Sequence, residues 1–207
     1  SLQSKHKPET RQEELTMTQP VLETPRLLLR PFRDEDAEDV YHYARDPRVG
    51  PIAGWPPHKS LEESREVIRS VFSRPGVFAM ELRETGRVIG SVGFVGSHPA
   101  GEHSACPDDE VGYAMSPACW GAGLMPEAVE AVFQYGFTGP RLRRIWCGHY
   151  AGNWRSRRVI NKCGFRYQFS RTEYVSLVNE TRQSYFYMQT EEDWRERVSG
   201  ALCGGGK

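Results

Sequence analysis

Two glycines separated by one residue, Gly121 and Gly123, stand directly before a segment with helical periodicity. Apolar or small residues recur there at helical spacing, until a Thr-Gly-Pro sequence ends the pattern: Ala128, Val129, Val132, Phe133, Gly136 and Phe137. The glycines therefore precede a helix N-terminus, where backbone N–H groups lack intrahelical partners and the helix dipole is positive. A phosphate can approach such a backbone only where no side chain blocks it. The pattern thus favours a phosphate-binding loop.

A Gly-x-Gly sequence before a helix is also typical of an ordinary tight loop, and so short a match arises by chance. The spacing lacks the third glycine of a dinucleotide-binding fingerprint and the Gly-Lys-Ser/Thr of a P-loop. The segments on either side of the loop therefore have to decide between the two interpretations.

The flanking segments predict a β-α-β unit. Residues 110–117 alternate apolar with small or polar side chains and so run as a strand into the glycine loop. Residues 144–150 follow the helix as a second strand, which should be parallel to the first and adjacent to it. Asn153 then caps a short helix that ends at Gly164. The loop therefore joins a strand to a helix within a parallel pair.

The rest of the chain is consistent with one domain over residues 21–196. Its other predicted elements are a strand over 21–32, a helix capped by Asp34, a proline-rich loop over 49–59, a helix opened by a Ser60–Glu63 capping box, a hairpin over 78–95, and final strands over 165–174 and 183–190. Residues 1–20 are expected to form a disordered arm, and residues 197–207 a flexible tail. Whether the arm is native is left open.

Composition excludes several classes of protein. The 207 residues contain 27 basic and 27 acidic side chains, which disfavours a nucleic-acid-binding surface. No apolar run has the length of a membrane span, and the first residues lack a signal-peptide core, so we expect a soluble, cytoplasmic protein without a membrane partner. The five cysteines are odd in number and include no Cys-x-x-Cys pair, which makes a metal site or a disulfide framework unexpected.

Five motifs together resemble those of a known family. They extend over about residues 22–194, and their order and spacing are specific: Leu22-Glu23-Thr24-Pro25-Arg26-Leu27-Leu28-Leu29-Arg30, Glu110-Val111-Gly112-Tyr113, Trp120-Gly121-Ala122-Gly123 with Glu127-Ala128, Asn153-x-x-Ser156, and Lys162-Cys163-Gly164-Phe165. They are similar to the motifs of the GCN5-related N-acetyltransferases (GNAT), and within them to the ribosomal-protein N-terminal acetyltransferases of the RimJ and RimL kind.

The resemblance implies an α/β (α+β) fold, with a mixed central sheet flanked by helices and splayed between two parallel strands. It also implies that acetyl-coenzyme A is the co-substrate, with its pyrophosphate on the N–H groups of residues 121–125 and its pantetheine arm paired with the backbone near Met115. No metal is implied. The expected coenzyme A-binding residues are Met115, Trp120, Gly121, Ala122, Gly123, Leu124, Met125, Asn153 and Ser156.

Two positions depart from the usual family pattern. Ala118 stands where the general motif has Gln or Arg, so phosphate binding must depend on the main chain. Ile160 stands where many members carry a tyrosine that protonates the departing thiolate. That role therefore passes to another group.

Acetyl transfer to an amine needs a deprotonated nucleophile, a polarised thioester carbonyl and a partner for the thiolate. The backbone N–H at or beside Met115 is the candidate for the carbonyl oxygen, because splayed strands leave donors without ladder partners. Ser156 lies near its helix N-terminus and, by resemblance, near the coenzyme A sulfur, so it is the candidate proton donor. The alternative is that Ser156 only helps to cap the helix.

Three residues are candidates for the base. Glu110 is preferred to Glu173, because it lies on the strand that enters the glycine loop, and either carboxylate could attract the substrate ammonium directly or through water. His149 has a more suitable pKa but also fits a structural hydrogen bond. Both glutamates could also be solvated charges on strand edges.

The acceptor cleft is predicted less sharply. Trp55 and His58 lie in the proline-rich loop that lines this cleft in resembling proteins, although Trp55 also suits a core position. Arg155, Arg157, Arg158 and Lys162 could meet the adenosine 3'-phosphate or form a solvated helix face. With Glu110 and Glu173, Trp55 and His58 complete the expected substrate-binding set.

The function predicted is transfer of an acetyl group from acetyl-coenzyme A to a primary amine, directly within a ternary complex. The acceptor is a small molecule or a protein N-terminus, and the protein is expected to be a monomer or a homodimer. The alternatives are a non-catalytic module that binds acyl-coenzyme A and an acetyltransferase that modifies aminoglycoside-like antibiotics.

Overall fold

A computed structural model describes residues 19–101 and 106–203, which form one eight-stranded sheet with helices on both faces. The strands are β1 (Leu22–Glu23), β2 (Leu27–Arg30), β3 (Val77–Leu82), β4 (Arg87–Phe94), β5 (Asp108–Met115), β6 (Arg144–Tyr150), β7 (Arg166–Val175) and β8 (Glu180–Thr190). The helices are α1 (Ala37–Ala44), α2 (Gly50–Ala53), α3 (Leu61–Val67), α4 (Leu124–Thr138), α5 (Trp154–Lys162) and α6 (Glu191–Cys203).

The sheet is splayed at its centre. Its order is β1-β2-β3-β4-β5-β6-β8-β7, and β5 and β6 form its parallel pair. These two strands are in register at Asp108–Arg144, Asp109–Ile145 and Glu110–Trp146, and their pairing ends there. The predicted mixed sheet, splayed between two parallel strands, is therefore confirmed, and both strands lie where the sequence places them.

Helix α4 packs its apolar face against the sheet, and the residues predicted for that face are all buried. Gly136 shows why one of them is glycine, since a Cβ atom there would lie 2.6 Å from the Phe94 ring and 2.9 Å from Ile145. Such distances are too short for a real side chain, so Gly136 allows the helix to approach the sheet closely. This contact brings the last turns of α4 close to β4 and β6.

The prediction of one strand over residues 21–32 is wrong, because a turn divides it into β1 and β2, which pair antiparallel. Thr24 closes this turn: its N–H donates to the Leu27 carbonyl at 3.0 Å, and its hydroxyl accepts from the Leu27 N–H at 2.9 Å. Pro25 stands within the turn, has no N–H to give to a ladder and has a fixed φ.

The predicted Asp34 cap is also wrong. A 3₁₀ turn over Asp34–Asp36 precedes α1, and the carboxylate that accepts a backbone N–H there is that of Asp36, at 2.8 Å from the Arg33 nitrogen. Asp36 is buried and also accepts both Nη donors of Arg30, each at 2.8 Å. The Asp34 carboxylate is paired instead with Arg69.

The predicted proline-rich loop contains one helical turn, α2, which ends at Gly54 with a left-handed φ of 95°. The Ser60–Glu63 signal does begin a helix, since the Ser60 hydroxyl accepts the Glu63 N–H at 3.1 Å. The Glu63 carboxylate reaches back one residue further than in a capping box, to the Lys59 N–H. Helix α3 continues into a π-helical turn over Ile68–Phe72.

Both ends of the domain differ from the predicted limits. Gln19, within the predicted arm, donates to the Val77 carbonyl at 2.7 Å and accepts from the Gly76 N–H at 3.0 Å, so it is held on the sheet. Helix α6 continues to Cys203, past residue 196, and its buried Trp194 packs against Phe137 of α4. Residues 1–18 and 204–207 lie outside the described residues. Within the described part of the chain, every helix is too short or too polar to cross a membrane.

Candidate active site

A cavity of about 690 Å³ opens where β5 and β6 separate. Its wall includes residues of both strands, the Trp120 side chain beside the glycine loop, the start of α5, and the segment from α1 to α3. The end of the parallel pairing at Glu110 and Trp146 therefore creates a space that several predicted site residues share.

Backbone groups of β5 line the gap. The Glu110 carbonyl accepts from the Val95 N–H at 2.9 Å, and the Ser116 N–H donates to the Ile89 carbonyl at 2.7 Å, so even-numbered residues of β5 bond toward β4. Alternate residues of a strand direct their N–H and C=O groups to opposite sides. The odd-numbered residues up to Met115 therefore direct theirs toward the gap.

Trp120 closes one end of this edge. Its indole N–H donates to the Met115 carbonyl at 3.0 Å, which leaves the Met115 N–H as the group of that residue that faces the gap. Two guanidinium groups lie over the Trp120 ring, with Arg155 at 4.0 Å and Arg48 at 5.8 Å from the ring centre. These contacts hold the indole at the entrance of the glycine loop.

The glycine loop has the backbone conformation that its sequence predicts. Gly121 and Gly123 have left-handed φ angles of 80° and 75°, and Gly123 is the residue before the first turn of α4. A Cβ atom on Gly121 would meet no described atom within 4 Å, and one on Gly123 would lie 3.6 Å from Arg26 and 3.7 Å from Lys162. The helix N-terminus thus has two cationic side chains beside it.

Arg26 also braces this loop. Its Nη1 donates to the Ala122 carbonyl at 2.8 Å, and its Nε is paired with Glu127 at 2.7 Å. Glu127 further accepts the Thr24 hydroxyl and the Arg26 backbone N–H. The Thr-Pro-Arg sequence and the Glu127 that follows the glycines are therefore in contact, although about 100 residues separate them.

Asn153 and Ser156 lie at the start of α5, as predicted. The Asn153 side-chain oxygen accepts the Ser156 N–H at 3.2 Å, which confirms the cap. The Ser156 hydroxyl is hydrogen-bonded to the Tyr113 hydroxyl at 2.9 Å, and Tyr113 also lies 3.3 Å from the Ser156 carbonyl oxygen. Ser156 carries the hydroxyl of α5 and lines the cavity, whereas Ile160 is fully buried in the core.

Tyr113 was not among the predicted site residues, because the alternation of β5 marks it only as an apolar wall residue. Burial raises the pKa of its phenol, so the group stays protonated at neutral pH. The Cys147 thiol lies 3.9 Å away, and burial raises its pKa as well. Tyr113 is therefore a permanent hydrogen-bonding partner of Ser156.

Glu110 lies in the cavity against β6. Its Oε1 would be 3.2 Å from a Cβ atom on Gly148, so the missing side chain of Gly148 makes room for the carboxylate. Burial is the main cause that raises the pKa of Glu110, and the negative charges of Glu173 and Asp109 raise it further. A hydrogen bond from Ser97 and the charge of Arg171 act in the opposite direction.

Glu173 also lines the cavity but is paired with Arg171 at 2.9 Å, with 30 % of its side chain exposed. The structure thus brings together the two carboxylates that the sequence predicts. Of the two, Glu110 lies against Gly148 of β6, where burial raises the pKa of its carboxyl.

His149 is buried, and both ring nitrogens have partners, with Nδ1 at 2.9 Å from the Tyr150 carbonyl and Nε2 at 3.2 Å from the Tyr187 hydroxyl. Its ring also stacks on Tyr185. Burial lowers the pKa of His149. Because side chains alternate along β6, His149 and Gly148 point to opposite faces, which separates His149 from Glu110.

Trp55 and His58 line the cavity from the other side, with their ring centres 5.5 Å apart. The His58 Nδ1 lies 2.8 Å from the Ser64 hydroxyl, and burial lowers the pKa of His58. Trp55 packs on Gly50, where a Cβ atom would lie 2.5 Å from the ring. Both interpretations of Trp55, as a cleft residue and as a packed one, therefore apply.

Two further residues on the face of Glu110 escaped the sequence reasoning. The Tyr150 hydroxyl would lie 3.1 Å from a Cβ atom on Gly54, and Ser184 is 2 % exposed on β8. Their positions follow from strand register, which short motifs do not encode. Within residues 19–101 and 106–203, no group of three or more His, Cys, Asp or Glu side chains could hold a metal ion.

Comparison with known proteins shows the family of this chain. Residues 26–166 match the model of a family described as an acetyltransferase (GNAT) domain. The chain belongs to the GNAT acetyltransferase family. A curated relative, the uncharacterized N-acetyltransferase YoaA of Bacillus subtilis, is 31 % identical over 152 residues, which cover 71 % of this chain and 83 % of YoaA.

Solved structures agree with this assignment. A GNAT-family acetyltransferase from Bacillus anthracis is 25 % identical with a TM-score of 0.72, and the alignment covers 84 % of this chain and 99 % of that one. RimJ of Mycobacterium smegmatis, solved in complex with CoA-disulfide, is 21 % identical with a TM-score of 0.68, and the alignment covers 84 % and 88 % of the two chains. The latter likeness concerns the fold.

The protein is thus an acetyl-CoA-dependent N-acetyltransferase, as its GNAT domain and its N-acetyltransferase relatives indicate. The glycine loop of this acetyltransferase and the gap-facing edge of β5 fit the polyanionic and extended parts of such a co-substrate, because they offer backbone donors and the cationic Arg26 and Lys162. The family assignment favours an enzyme over a module that only binds acyl-coenzyme A.

Proposed function

We propose that this GNAT acetyltransferase transfers the acetyl group of acetyl-coenzyme A directly to a primary amine within a ternary complex. The observation that carries the proposal is that the gap-facing edge of β5 and the Glu110 carboxylate line the same cavity. Burial raises the pKa of this carboxylate. The co-substrate supplies the acetyl group as a thioester. The acceptor is a small-molecule amine or a protein N-terminus.

Glu110 serves as the base in this proposal. Most of an amine with an ordinary pKa near 10 arrives protonated at neutral pH, so a carboxylate both attracts it and accepts its proton, directly or through water. The raised pKa of Glu110 makes it a stronger base than an exposed glutamate. Glu173 adds negative charge to the same side of the cavity.

The Met115 N–H stabilises the carbonyl oxygen as it gains negative charge, because it faces the gap while the Met115 carbonyl is occupied by Trp120. Ser156 donates to the departing sulfur. Because a thiol has a pKa of about 8.5 and a hydroxyl is a much weaker acid, a hydrogen bond from Ser156 suffices, and the sulfur takes a proton that the nitrogen releases. Tyr113 holds the Ser156 hydroxyl in place.

Direct transfer is favoured by the state of the cysteine in the cavity. Cys147 is buried and lines the gap, but its pKa is raised, so it is a thiol rather than a nucleophilic thiolate. A covalent acetyl-cysteine would need the thiolate. The attacking group is therefore the acceptor amine itself.

Thiol release from acetyl-coenzyme A, measured against a panel of small amines and N-terminal peptides, tests the activity. With an accepted amine, initial rates measured at several concentrations of both substrates should give intersecting double-reciprocal lines. Parallel lines, or acetylation of Cys147 detected by mass spectrometry after acetyl-coenzyme A alone, would contradict direct transfer.

A further inference from the structure

The Ser184 hydroxyl is a buried polar group without a partner among the described residues. Ser184 is 2 % exposed, and its Oγ makes no hydrogen bond within the described part of the chain, although it lines the cavity. Burial of a hydroxyl without a hydrogen bond is unfavourable, so such groups are uncommon in folded proteins and call for an explanation. A ligand that reaches Ser184 would supply the missing partner.

Strand register places Ser184 near Glu110. On the β6–β8 ladder, Tyr150 is opposite Ser184 and Gly148 is opposite Phe186. Residues two apart on a strand share a face, so Ser184 lies on the face where the Glu110 carboxylate covers Gly148 and touches the space of the Phe186 ring. Ser184 and Glu110 therefore contribute to one wall of the cavity.

Ser184 is diagonal to the glycine that the Glu110 carboxylate covers. Diagonal neighbours on one face of an antiparallel pair have Cα atoms about 7–8 Å apart, and Ser184 stands in this relation to Gly148. Because the Glu110 side chain lies over Gly148, its carboxylate and the Ser184 side chain belong to the same part of the cavity wall.

The cation that stands next to Ser184 in the sheet is already paired. Arg171 is opposite Ser184 on β7, but its Nε is bound to Glu173 at 2.9 Å and its Nη1 donates to the Pro99 carbonyl at 2.9 Å. Its guanidinium carbon also lies 4.6 Å from the centre of the Phe186 ring. The positive charge of Arg171 beside Ser184 is therefore balanced by Glu173.

We propose that Ser184 and Glu110 together bind the acceptor nitrogen, and that this pair selects primary amines over fully N-methylated ones. A primary ammonium group has three N–H donors, of which one can bind the Glu110 carboxylate and another the Ser184 oxygen. A trimethylammonium group has none. This inference rests on the proposed function and adds a specificity-determining residue to it.

The test uses 2-phenylethylamine as the probe, because Tyr150, Phe186 and Trp55 give the cavity aromatic walls. Its binding to the protein saturated with coenzyme A is measured by calorimetry for the wild type, Ser184→Ala and Ser170→Ala. Ser170 is exposed and pairs with Tyr185, which stacks on His149 and so marks the other face of the sheet. Ser170→Ala is therefore a matched control.

We expect Ser184→Ala to weaken binding of 2-phenylethylamine about tenfold, since a hydrogen bond to a charged group is lost. Ser170→Ala should bind it as the wild type does, and the N,N,N-trimethyl analogue should not distinguish Ser184→Ala from the wild type. The variant should also melt at or above the wild-type temperature, because an unpartnered buried hydroxyl is removed.

Equal affinity of the wild type and Ser184→Ala for the primary amine would overturn the proposal. Absence of saturable binding of the primary amine to the coenzyme A-loaded wild type would do so as well. Neither outcome depends on coenzyme A binding, which is measured first, by titration of the same sample with coenzyme A. Failure at that first titration would instead contradict the proposed function.

Discussion

The two sides of the cavity differ in the groups that form them, which are main-chain groups on one side and side chains on the other. On the proposed coenzyme A side, the glycine loop and the edge of β5 present main-chain N–H groups, and Arg26 and Glu127 brace the loop. On the proposed acceptor side, the wall consists of side chains from separate strands, such as Glu110 and Ser184. A backbone-built site is insensitive to most side-chain changes nearby, whereas a side-chain wall can be altered one residue at a time. Coenzyme A binding and amine recognition should therefore respond to different substitutions.

The largest expected effect is a loss of coenzyme A affinity caused by a change on the coenzyme A side alone. Gly123→Val puts a branched side chain where the phosphate must approach the start of α4, and we expect coenzyme A affinity to fall about a hundredfold, as several charge-assisted hydrogen bonds are lost. Calorimetric titration with coenzyme A measures it. Gly86→Val is the matched control, because Gly86 also has a positive φ, of 68°, with no described atom within 4 Å of its Cβ position, and it lies in the β3–β4 turn.

Both glycine variants should carry the cost of a left-handed valine, so their melting temperatures should fall together. Wild-type coenzyme A affinity in Gly123→Val would mean that the glycine loop is an ordinary tight turn. A matching loss in Gly86→Val would show that the effect comes from backbone strain and not from the loop.

The coenzyme A side was also the more predictable one. Its glycines, the Asn153 cap and the two parallel strands are local patterns in which one short segment contains the whole signal. Ser184 escaped prediction because its position depends on register between distant strands, and Tyr113 because its contact is with a hydroxyl on a distant helix. The turn at Pro25 escaped because the apolar residues on both sides of it suggest one continuous strand.

The second prediction concerns a change on the acceptor side alone, which should lower activity without changing coenzyme A affinity. Glu110→Gln removes the base, and we expect kcat/KM for an accepted amine to fall about a hundredfold or more, while coenzyme A affinity is unchanged. In the wild type, activity should rise with pH through the raised pKa of Glu110, because the ionised carboxylate is the active form. That acid limb should be absent from the residual activity of Glu110→Gln. A wild-type pH profile in this variant would remove Glu110 from the mechanism.

Ser156 lies where the two sides meet, so its substitution sharpens the comparison. Ser156→Ala should lower kcat about tenfold with little change in the KM of either substrate, since the lost hydrogen bond acts on the departing sulfur. Tyr113→Phe should give a smaller loss of kcat, because Ser156 then keeps its hydroxyl but loses its partner. Steady-state kinetics with both substrates varied measures these effects. Unchanged turnover of Ser156→Ala would leave the Ser156 hydroxyl only its structural contact with Tyr113.

The smallest expected effect concerns stability. The raised pKa of Glu110 means that the folded protein holds this proton at pH values where the unfolded chain, with its ordinary pKa of 4.5, has lost it. Stability contributed by the protonated form is therefore complete below about pH 4.5 and is lost as the pH rises through the raised value. Glu110→Gln should melt above the wild type at pH 8, with the difference shrinking toward pH 4. Melting curves that differ equally at both pH values would contradict the burial of this carboxylate.

The central claim is that main-chain groups bind coenzyme A and that side chains bind the acceptor. One calorimetric titration with coenzyme A tests it most directly, carried out in parallel on the wild type, Gly123→Val and Glu110→Gln. We predict saturable binding at micromolar concentrations for the wild type and for Glu110→Gln, and about a hundredfold weaker binding for Gly123→Val. Absence of saturable binding to the wild type, or the same affinity in all three proteins, would contradict the account.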